Sequence, residues 1–169
     1  MIKGTSSPMT PPADRTLITT RVFDAPREMV FRAWTDPKQF ARWFPPEGFT
    51  APVCELDVRP GGVIRVHMKG GDGMGDFAGV VFPAEGIYRE VVMNERLAFT
   101  MKGDNDTPPE VLMTVIFEDE GRKTKLTIYQ TTQTVAAYEA LVKIGASEGL
   151  RQSLDKLAAQ LAEQGVTRQ

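Results

Sequence analysis

The sequence predicts an α+β fold in which one curved antiparallel sheet wraps around a long C-terminal helix, with two short helices after the first strand. Three observations lead to this prediction. The middle of the chain consists of short extended segments separated only by turn residues, which is typical of an antiparallel meander. Two short helical patterns precede this region. One long amphipathic pattern follows it and needs an apolar surface to pack on.

The N-terminal end of the chain differs in composition from the rest. Residues 1–13 are rich in proline, serine and threonine, which predicts a flexible tail. The remaining pattern fits one domain at residues 14–165, a length that can bury a hydrophobic core. We expect its first element to be a strand at residues 15–23, where β-branched side chains predominate.

Two short helices follow this strand, and an unusual aromatic stretch contains the second of them. Residues 33–52 hold both tryptophans of the chain and three of its nine phenylalanines, between several prolines that limit helix length. The stretch is too broken for one long helix and too aromatic for a solvated loop. We therefore predict that Trp34 is core, and that Trp43 or Phe44 covers the mouth of a cavity.

The meander occupies the middle of the chain. We predict strands near residues 50–58, 62–69, 76–82, 86–92, 96–102, 111–119 and 123–132. The segments between them are rich in glycine, proline, aspartate and asparagine, which are typical turn residues. The strand limits between residues 76 and 92 are the least defined, because Pro83 and Gly86 interrupt an otherwise extended pattern.

A helical pattern begins at Val135 and continues to about Gln164. One face carries a stripe of leucines at helical spacing, formed by Leu150, Leu154, Leu157 and Leu161. A neighbouring face carries smaller residues at the same spacing, namely Val142, Ala146, Gly149 and Ser153. Glycine lowers helix propensity by roughly 1 kcal/mol relative to alanine. Gly145 and Gly149 therefore either mark a kink or leave room for another molecule.

This order of elements is a helix-grip arrangement, and five segments resemble one superfamily of that kind. They are "FDAPREMVFRAWTDPKQFARWF", "ELDVRPGGVIRVHM", "NERLAFTM", "TKLTIYQTT" and "SLDKLAAQLAE". Together they resemble the START-like SRPBCC superfamily, whose fold is also called birch-pollen-allergen-like. Within it, residues 15–163 are most similar to homologues of the activator of heat-shock protein 90 ATPase, in particular its C-terminal domain. The resemblance implies an apolar cavity between the sheet and the C-terminal helix.

The implied cavity would receive side chains from the aromatic stretch, the strands and the small-residue face of the last helix. Its predicted ligand-binding residues are Trp43, Phe44, Tyr88, Phe99, Met113, Gln130, Val142, Ala146, Gly149 and Ser153. Gln130 follows Leu126 and Ile128 on one face of the last strand. Its amide either hydrogen-bonds a ligand at the end of the inward face or lies beyond the buried part and meets water. Tyr88 could play the same part, but the phase of its strand is ambiguous.

Composition excludes several functional classes. The net charge is −2 with both signs interspersed, whereas nucleic-acid binding needs a larger basic face. Cys54 and His67 are the only cysteine and the only histidine, so cysteine-rich and multi-histidine metal sites are excluded. No apolar run reaches transmembrane length and no secretion signal is recognisable. We expect a cytoplasmic protein, monomer or homodimer, without metal, cofactor or membrane insertion.

The predicted function is binding of a small, largely apolar ligand, for example a lipid, in the cavity. Because this fold hosts several functions, the resemblance leaves two alternatives open. The first is a protein-interaction module of the heat-shock protein 90 ATPase activator type, with a chaperone as partner in a stress response. The second is a cyclase- or hydrolase-type enzyme acting on a hydrophobic substrate, although no catalytic constellation can be identified in the sequence.

Overall fold

The computed structural model describes residues 11–104 and 109–167 of the chain. Residues 1–10 of the flexible tail that was predicted for residues 1–13 lie outside the described residues. The described part begins with a short 3-10 turn at Ala13–Arg15, which leads directly into the first strand.

Seven strands form one curved sheet. They are β1 (Thr16–Phe23), β2 (Phe49–Leu56), β3 (Val63–Gly70), β4 (Val81–Val92), β5 (Arg96–Gly103), β6 (Val111–Glu120) and β7 (Lys123–Thr132). Their order across the sheet is β1-β7-β6-β5-β4-β3-β2, and every neighbouring pair is antiparallel. The predicted antiparallel meander is confirmed. The first two strands lie at opposite edges, so the chain between them must cross from one edge to the other.

Four α-helices complete the described part of the fold. They are α1 (Arg27–Thr35), α2 (Pro37–Trp43), α3 (Val135–Lys143) and α4 (Ala146–Thr167). The two short helices, α1 and α2, connect the sheet edges. Asp36 separates them, and its carboxylate accepts a hydrogen bond from the Lys38 backbone N–H at 3.0 Å, which caps α2. Pro37 at the first position of α2 has no N–H that would need a partner.

The two strands predicted at 76–82 and 86–92 are wrong as separate elements, because one strand, β4, replaces them. Pro83 pairs with β3, whereas the pairing of β4 with β5 begins only at Ala84. Because proline has no backbone N–H, it could not donate a hydrogen bond to β5, and at this position no such bond is needed. Gly86 is not a turn residue either. A Cβ atom at this position would lie 1.6 Å from the Thr100 carbonyl oxygen, so the close approach of β5 requires glycine.

The helical region predicted from Val135 to about Gln164 is divided into α3 and α4 at Gly145, which agrees with the interpretation of this glycine as a kink. Gly145 has a φ of +79°, in the left-handed region that favours glycine, and its N–H donates to the Val142 carbonyl at 3.0 Å. The helix α3 begins properly capped, since the Thr134 hydroxyl accepts from the Ala137 N–H at 3.0 Å. The chain therefore ends one helix at Lys143 and begins a second one at Ala146.

The core lies between the concave face of the sheet and α4. All four leucines of the predicted stripe on α4 are buried there, as predicted. At one end of the concave face, α1 adds an aromatic cluster in which Phe31 packs edge-on against Phe117 with ring centroids 5.2 Å apart. Trp34 is buried in the same cluster, 6.4 Å from the rings of Phe99 and Phe117, so its assignment to the core is confirmed.

Truncation of the leucine stripe should destabilise the fold. We expect Leu154→Ala to lower the free energy of unfolding by about 2–5 kcal/mol, because it removes a fully buried side chain from a packed core. Urea denaturation measures this loss. Leu112→Ala, on the half-exposed outer face of β6, is the matched control and should cost clearly less. Equal losses for the two variants would contradict the assignment of α4 to the core.

Gly145 and Gly149 should respond to substitution by alanine with changes in stability of opposite sign. Gly145→Ala should destabilise the protein by about 1 kcal/mol, because an L-residue is strained at positive φ. Gly149→Ala should stabilise it by about 0.5–1 kcal/mol, because the helix gains propensity and the new Cβ atom meets nothing within 4 Å. Urea denaturation of both variants tests the pair, and a shift of the same sign in both would refute this account.

Candidate functional site

A cavity of about 280 Å³ lies between the sheet, the end of α2 and the junction of α3 with α4. The side chains on its sheet wall are Met68, Ala84, Met101, Lys102, Val111, Met113 and Gln130. The residues on its helical wall are Phe44, Pro46, Leu141, Ile144, Gly145, Ala146, Gly149, Leu150 and Ser153, and Pro109 lies at its rim. Most of these groups are hydrocarbon or thioether, so the wall offers a contact surface for an apolar molecule.

The sheet wall follows from strand alternation. Leu126 and Ile128 point from β7 into the core, and Gln130 continues the same face two residues further. Met113 is the β6 partner of Gln130 in the register of the sheet, so the two residues lie side by side on the cavity wall. Of the described wall residues from the strands, only Lys102 and Gln130 carry polar side chains.

The small-residue face of α4 forms the opposite wall. Ala146, Gly149 and Ser153 all line the cavity, and a Cβ atom at Gly149 would meet nothing within 4 Å. These residues therefore leave space beside the sheet. Val142 does not join them, since its side chain is 49% exposed on α3. The break at Gly145 interrupts the i, i+4 spacing that would have placed it on the same face.

The aromatic stretch contributes to the wall through Phe44, and Trp43 lies in the core behind it. Trp43 is completely buried, its Nε1–H donates to the Ala33 carbonyl at 2.8 Å, and its ring meets that of Trp34 edge-on at 4.7 Å. This hydrogen bond satisfies the only polar atom of the side chain, which explains how the indole can be buried away from the cavity.

Tyr88 and Phe99 also lie in the aromatic core and not on the wall. They are partners across β4 and β5, and their rings meet edge-on at 5.8 Å. The wall begins further along the same strand faces, at Ala84 and Met101. The aromatic core fills one end of the concave face and the cavity occupies the other. Position along the strand, which sequence reasoning did not resolve, decides which side chains line the cavity.

Two titratable groups with shifted pKa values lie outside the cavity wall. Burial raises the pKa of the Cys54 thiol to about 11, and nearby carboxylates of Asp36 and Glu55 add to the effect. Burial also raises the pKa of Tyr88. Both groups are therefore protonated near neutral pH, the state in which a thiol is a poor nucleophile.

Hydrogen bonds tie the end of α2 to α4 beside the cavity. The Ser153 hydroxyl donates to the Phe44 carbonyl at 2.7 Å, and the Lys156 ammonium donates to the Pro45 carbonyl at 2.8 Å. Together they satisfy backbone acceptors that the short helix leaves open at its C-terminus. Partial burial lowers the pKa of Lys156. Ser153 lies on the cavity wall, but its hydroxyl proton already forms a hydrogen bond within the protein.

Gln130 differs from the other polar groups of the wall. Its side chain is only 9% exposed, and its Oε1 atom is enclosed without a hydrogen-bond partner. An unpaired buried amide oxygen is costly in an apolar environment. The amide therefore ends the inward face of β7, as one of the two interpretations of the sequence proposed, and it does not lie beyond the buried part of the strand.

Several wall residues were missed by sequence reasoning. They include Met68, Ala84, Met101, Lys102, Val111, Leu141, Ile144 and Leu150. The alternation of side chains along a strand could have identified some of them. Met101 shares a strand face with Phe99, and Val111 shares one with Met113. The contributions of α3 depend on the turn at Gly145 and have no comparable local signal.

Residues 11–104 and 109–167 contain neither a cluster of potential metal ligands nor a helix that could span a membrane. This part of the chain holds no group of three or more histidine, cysteine, aspartate or glutamate side chains placed to bind a metal ion. Each of its helices is too short or too polar to cross a lipid bilayer.

Comparison with solved structures shows the same fold in several bacterial proteins. A protein from Nitrosomonas europaea has 24% identity and a TM-score of 0.79, and the match covers 92% of this chain and 99% of the other. A protein from Chromobacterium violaceum has 31% identity and a TM-score of 0.73, with coverage of 86% and 96%. The AHSA1 protein from Silicibacter pomeroyi has 24% identity and a TM-score of 0.73, with coverage of 88% and 99%.

Comparison of sequences points to the same relationship. None of the curated proteins matches the chain. The model of one family, however, matches residues 24–162, which include every described α-helix and strand except β1 and the end of α4. That family is described as Activator of Hsp90 ATPase homolog 1-like protein. Together with the helix grip and its cavity, this match shows that the chain belongs to the Activator of Hsp90 ATPase homolog 1-like family.

Proposed function

We propose that the protein binds a small, largely apolar molecule in the cavity between the sheet and α4. The observation that carries this proposal is the cavity itself, whose wall of methionine, aliphatic and aromatic side chains surrounds about 280 Å³. Transfer of apolar surface from water to such a wall is favourable by roughly 25 cal/mol per Å². The fold commonly binds hydrophobic ligands, which supports the same conclusion.

The size of the cavity restricts the ligand. Typical sites for drug-sized molecules occupy about 300–1,000 Å³, so this cavity lies just below that range. A molecule of one or two rings, or a single short acyl chain, fits this volume. A diacyl lipid would need a considerably larger space.

The composition of α4 also supports a binding site. Glycine in the middle of a helix costs roughly 1 kcal/mol relative to alanine. A Cβ atom at Gly149 would have no neighbouring atom within 4 Å, so close packing does not require glycine at this position. Its effect is to widen the cavity. A position that lowers helix stability and enlarges a cavity is easier to explain by a ligand than by the fold.

A larger side chain at Gly149 should weaken ligand binding without unfolding the protein. We expect Gly149→Leu to occupy the cavity, so that affinity for an apolar fluorescent probe such as a naphthalene sulfonate falls at least about tenfold. The melting temperature should stay equal or rise, because leucine has the higher helix propensity. Fluorescence titration and thermal denaturation measure the two effects.

Ala159→Leu is the matched control, because it adds a similar side chain to the exposed face of the same helix. This variant should bind the probe as the wild type does. Unchanged binding in folded Gly149→Leu would remove this face of α4 from the site. A wild type that binds none of a panel of naphthalene sulfonates and fatty acids would refute the proposed function.

A second candidate function is interaction with a chaperone of the heat-shock protein 90 type, as the family description indicates. An exposed apolar cluster at one end of β3 and β4 favours it. Phe77 is 51% exposed and contacts Phe82 with ring centroids 5.7 Å apart, while Phe82 contacts Phe49 at 5.9 Å. Val80 and Val81 are exposed beside them. Apolar side chains grouped on a surface are typical of protein-interaction sites.

Removal of this cluster should reduce stimulation of the chaperone. We expect the wild type to increase ATP hydrolysis by a heat-shock protein 90 chaperone, and the double variant Phe77→Ser/Phe82→Ser to lose at least about half of that increase, since exposed aromatic residues are frequent binding hot spots. The control is Ile18→Ser/Val22→Ser, which changes two exposed apolar residues of the edge strand β1. A steady-state ATPase assay compares them. No stimulation by the wild type would reject this second function.

A further inference from the structure

The amide of Gln130 indicates a polar requirement within the otherwise apolar cavity. Its side chain lies on the wall, is nine-tenths buried, and leaves Oε1 without a partner. The neighbouring wall residues Met113, Met101 and Leu150 offer no strong hydrogen-bond donor in their side chains. A buried amide in such surroundings costs stability unless another molecule pairs with it.

The other polar side chains of the described wall do not serve this amide. The Ser153 hydroxyl donates to the Phe44 carbonyl at 2.7 Å, so its proton is not available to a neighbour. Lys102 is exposed to solvent and belongs to the outer part of the wall. A buried water molecule usually makes about three hydrogen bonds, and the amide alone cannot supply them. A ligand group is therefore a better partner for Gln130 than a permanently bound water.

We propose that the ligand of this cavity carries one neutral hydroxyl group, as an alcohol or a phenol, which hydrogen-bonds the side-chain amide of Gln130. This inference rests on the proposed function and specifies the class of ligand. A hydroxyl both donates and accepts, so it pairs with either end of the amide. Because Oε1 is enclosed in the protein without ligand, a ligand hydroxyl pairs with the amide after rotation about the terminal torsion of glutamine, which has a broad energy profile.

The electrostatics of the wall favour a neutral group over an ionised one. An anion placed beside Gln130 would lose its hydration among methionine and leucine side chains without meeting a cation, which is strongly unfavourable. Lys102 could attract an anionic group, but only at the outer part of the wall. Neutral hydroxyl binding at Gln130 and anion binding at Lys102 are therefore distinguishable by the choice of probe.

Three naphthalenes of similar shape test the proposal by isothermal titration calorimetry at pH 7. 2-Naphthol carries the hydroxyl, 2-methylnaphthalene replaces it with a methyl group, and 2-naphthoate carries an anion. Each probe is titrated into the wild type and into Gln130→Met, which preserves the length of the side chain and removes the amide. The control is Gln133→Met, which makes the same change at an exposed position three residues further along the chain.

The decisive quantity is the preference for 2-naphthol over 2-methylnaphthalene, expressed as the ratio of their dissociation constants. Comparison of this ratio between variants cancels the difference in hydrophobicity between the probes. One net hydrogen bond corresponds to about a threefold to tenfold effect, so Gln130→Met should reduce the preference by that factor. Gln133→Met should leave it unchanged. In the absence of ligand, Gln130→Met should melt at an equal or higher temperature, because an unpaired buried amide has been removed.

Each other result overturns the inference. An unchanged preference in Gln130→Met, with both neutral probes still bound, rejects the hydroxyl while leaving the proposed function intact. Tighter binding of 2-naphthoate than of 2-naphthol to the wild type also rejects it. If Gln130→Met fails to fold, the amide is a structural group and the inference is wrong. Absence of binding of all three probes to the wild type, in contrast, is a failure of the proposed function itself.

Discussion

Packing of the leucine face of α4 against the concave face of the sheet is the contact on which the rest of the structure depends. The sheet is one continuous surface with two edges, and it curves around this helix. Leu154 and Leu157 are buried at the centre of the contact. The short helices α1 and α2 close the space that remains between the two edge strands. Without the leucine face, much of the concave face of the sheet would lose its apolar partner.

The two ends of the concave face differ in how they are packed. At one end, Trp34 and the phenylalanines around it fill the space with rings in edge-on contact, which is dense packing with little freedom. At the other end, α4 changes from leucine to the small residues Ala146 and Gly149, and the sheet offers methionines. Methionine adapts its shape more easily than aromatic or branched side chains. One end is therefore densely packed, while the other leaves the space in which we propose that a ligand binds.

The order and type of the elements could be predicted because alternation and helical spacing are local signals. The errors in strand limits occurred where a residue type is common in turns but also occurs within a strand. Pro83 and Gly86 look like turn residues but lie within β4, where strand pairing tolerates the proline and close backbone approach requires the glycine. For the cavity, the small face of α4 and the amide of Gln130 could be identified locally. The positions of Tyr88 and Val142 could not, because they depend on distance along the sheet and on the break between α3 and α4.

The hydrogen bonds between α2 and α4 have a consequence for exchange kinetics. Ser153 and Lys156 hold the carbonyl groups of Phe44 and Pro45 beside the cavity. Any path into the cavity that passes between these helices requires both bonds to break, so exchange along that path is limited by the frequency of opening and not by diffusion alone. The same barrier slows departure by an equal factor and leaves the equilibrium constant unchanged. For a ligand of the proposed site that exchanges along this path, the residence time depends on this helix contact as well as on the groups that surround the ligand.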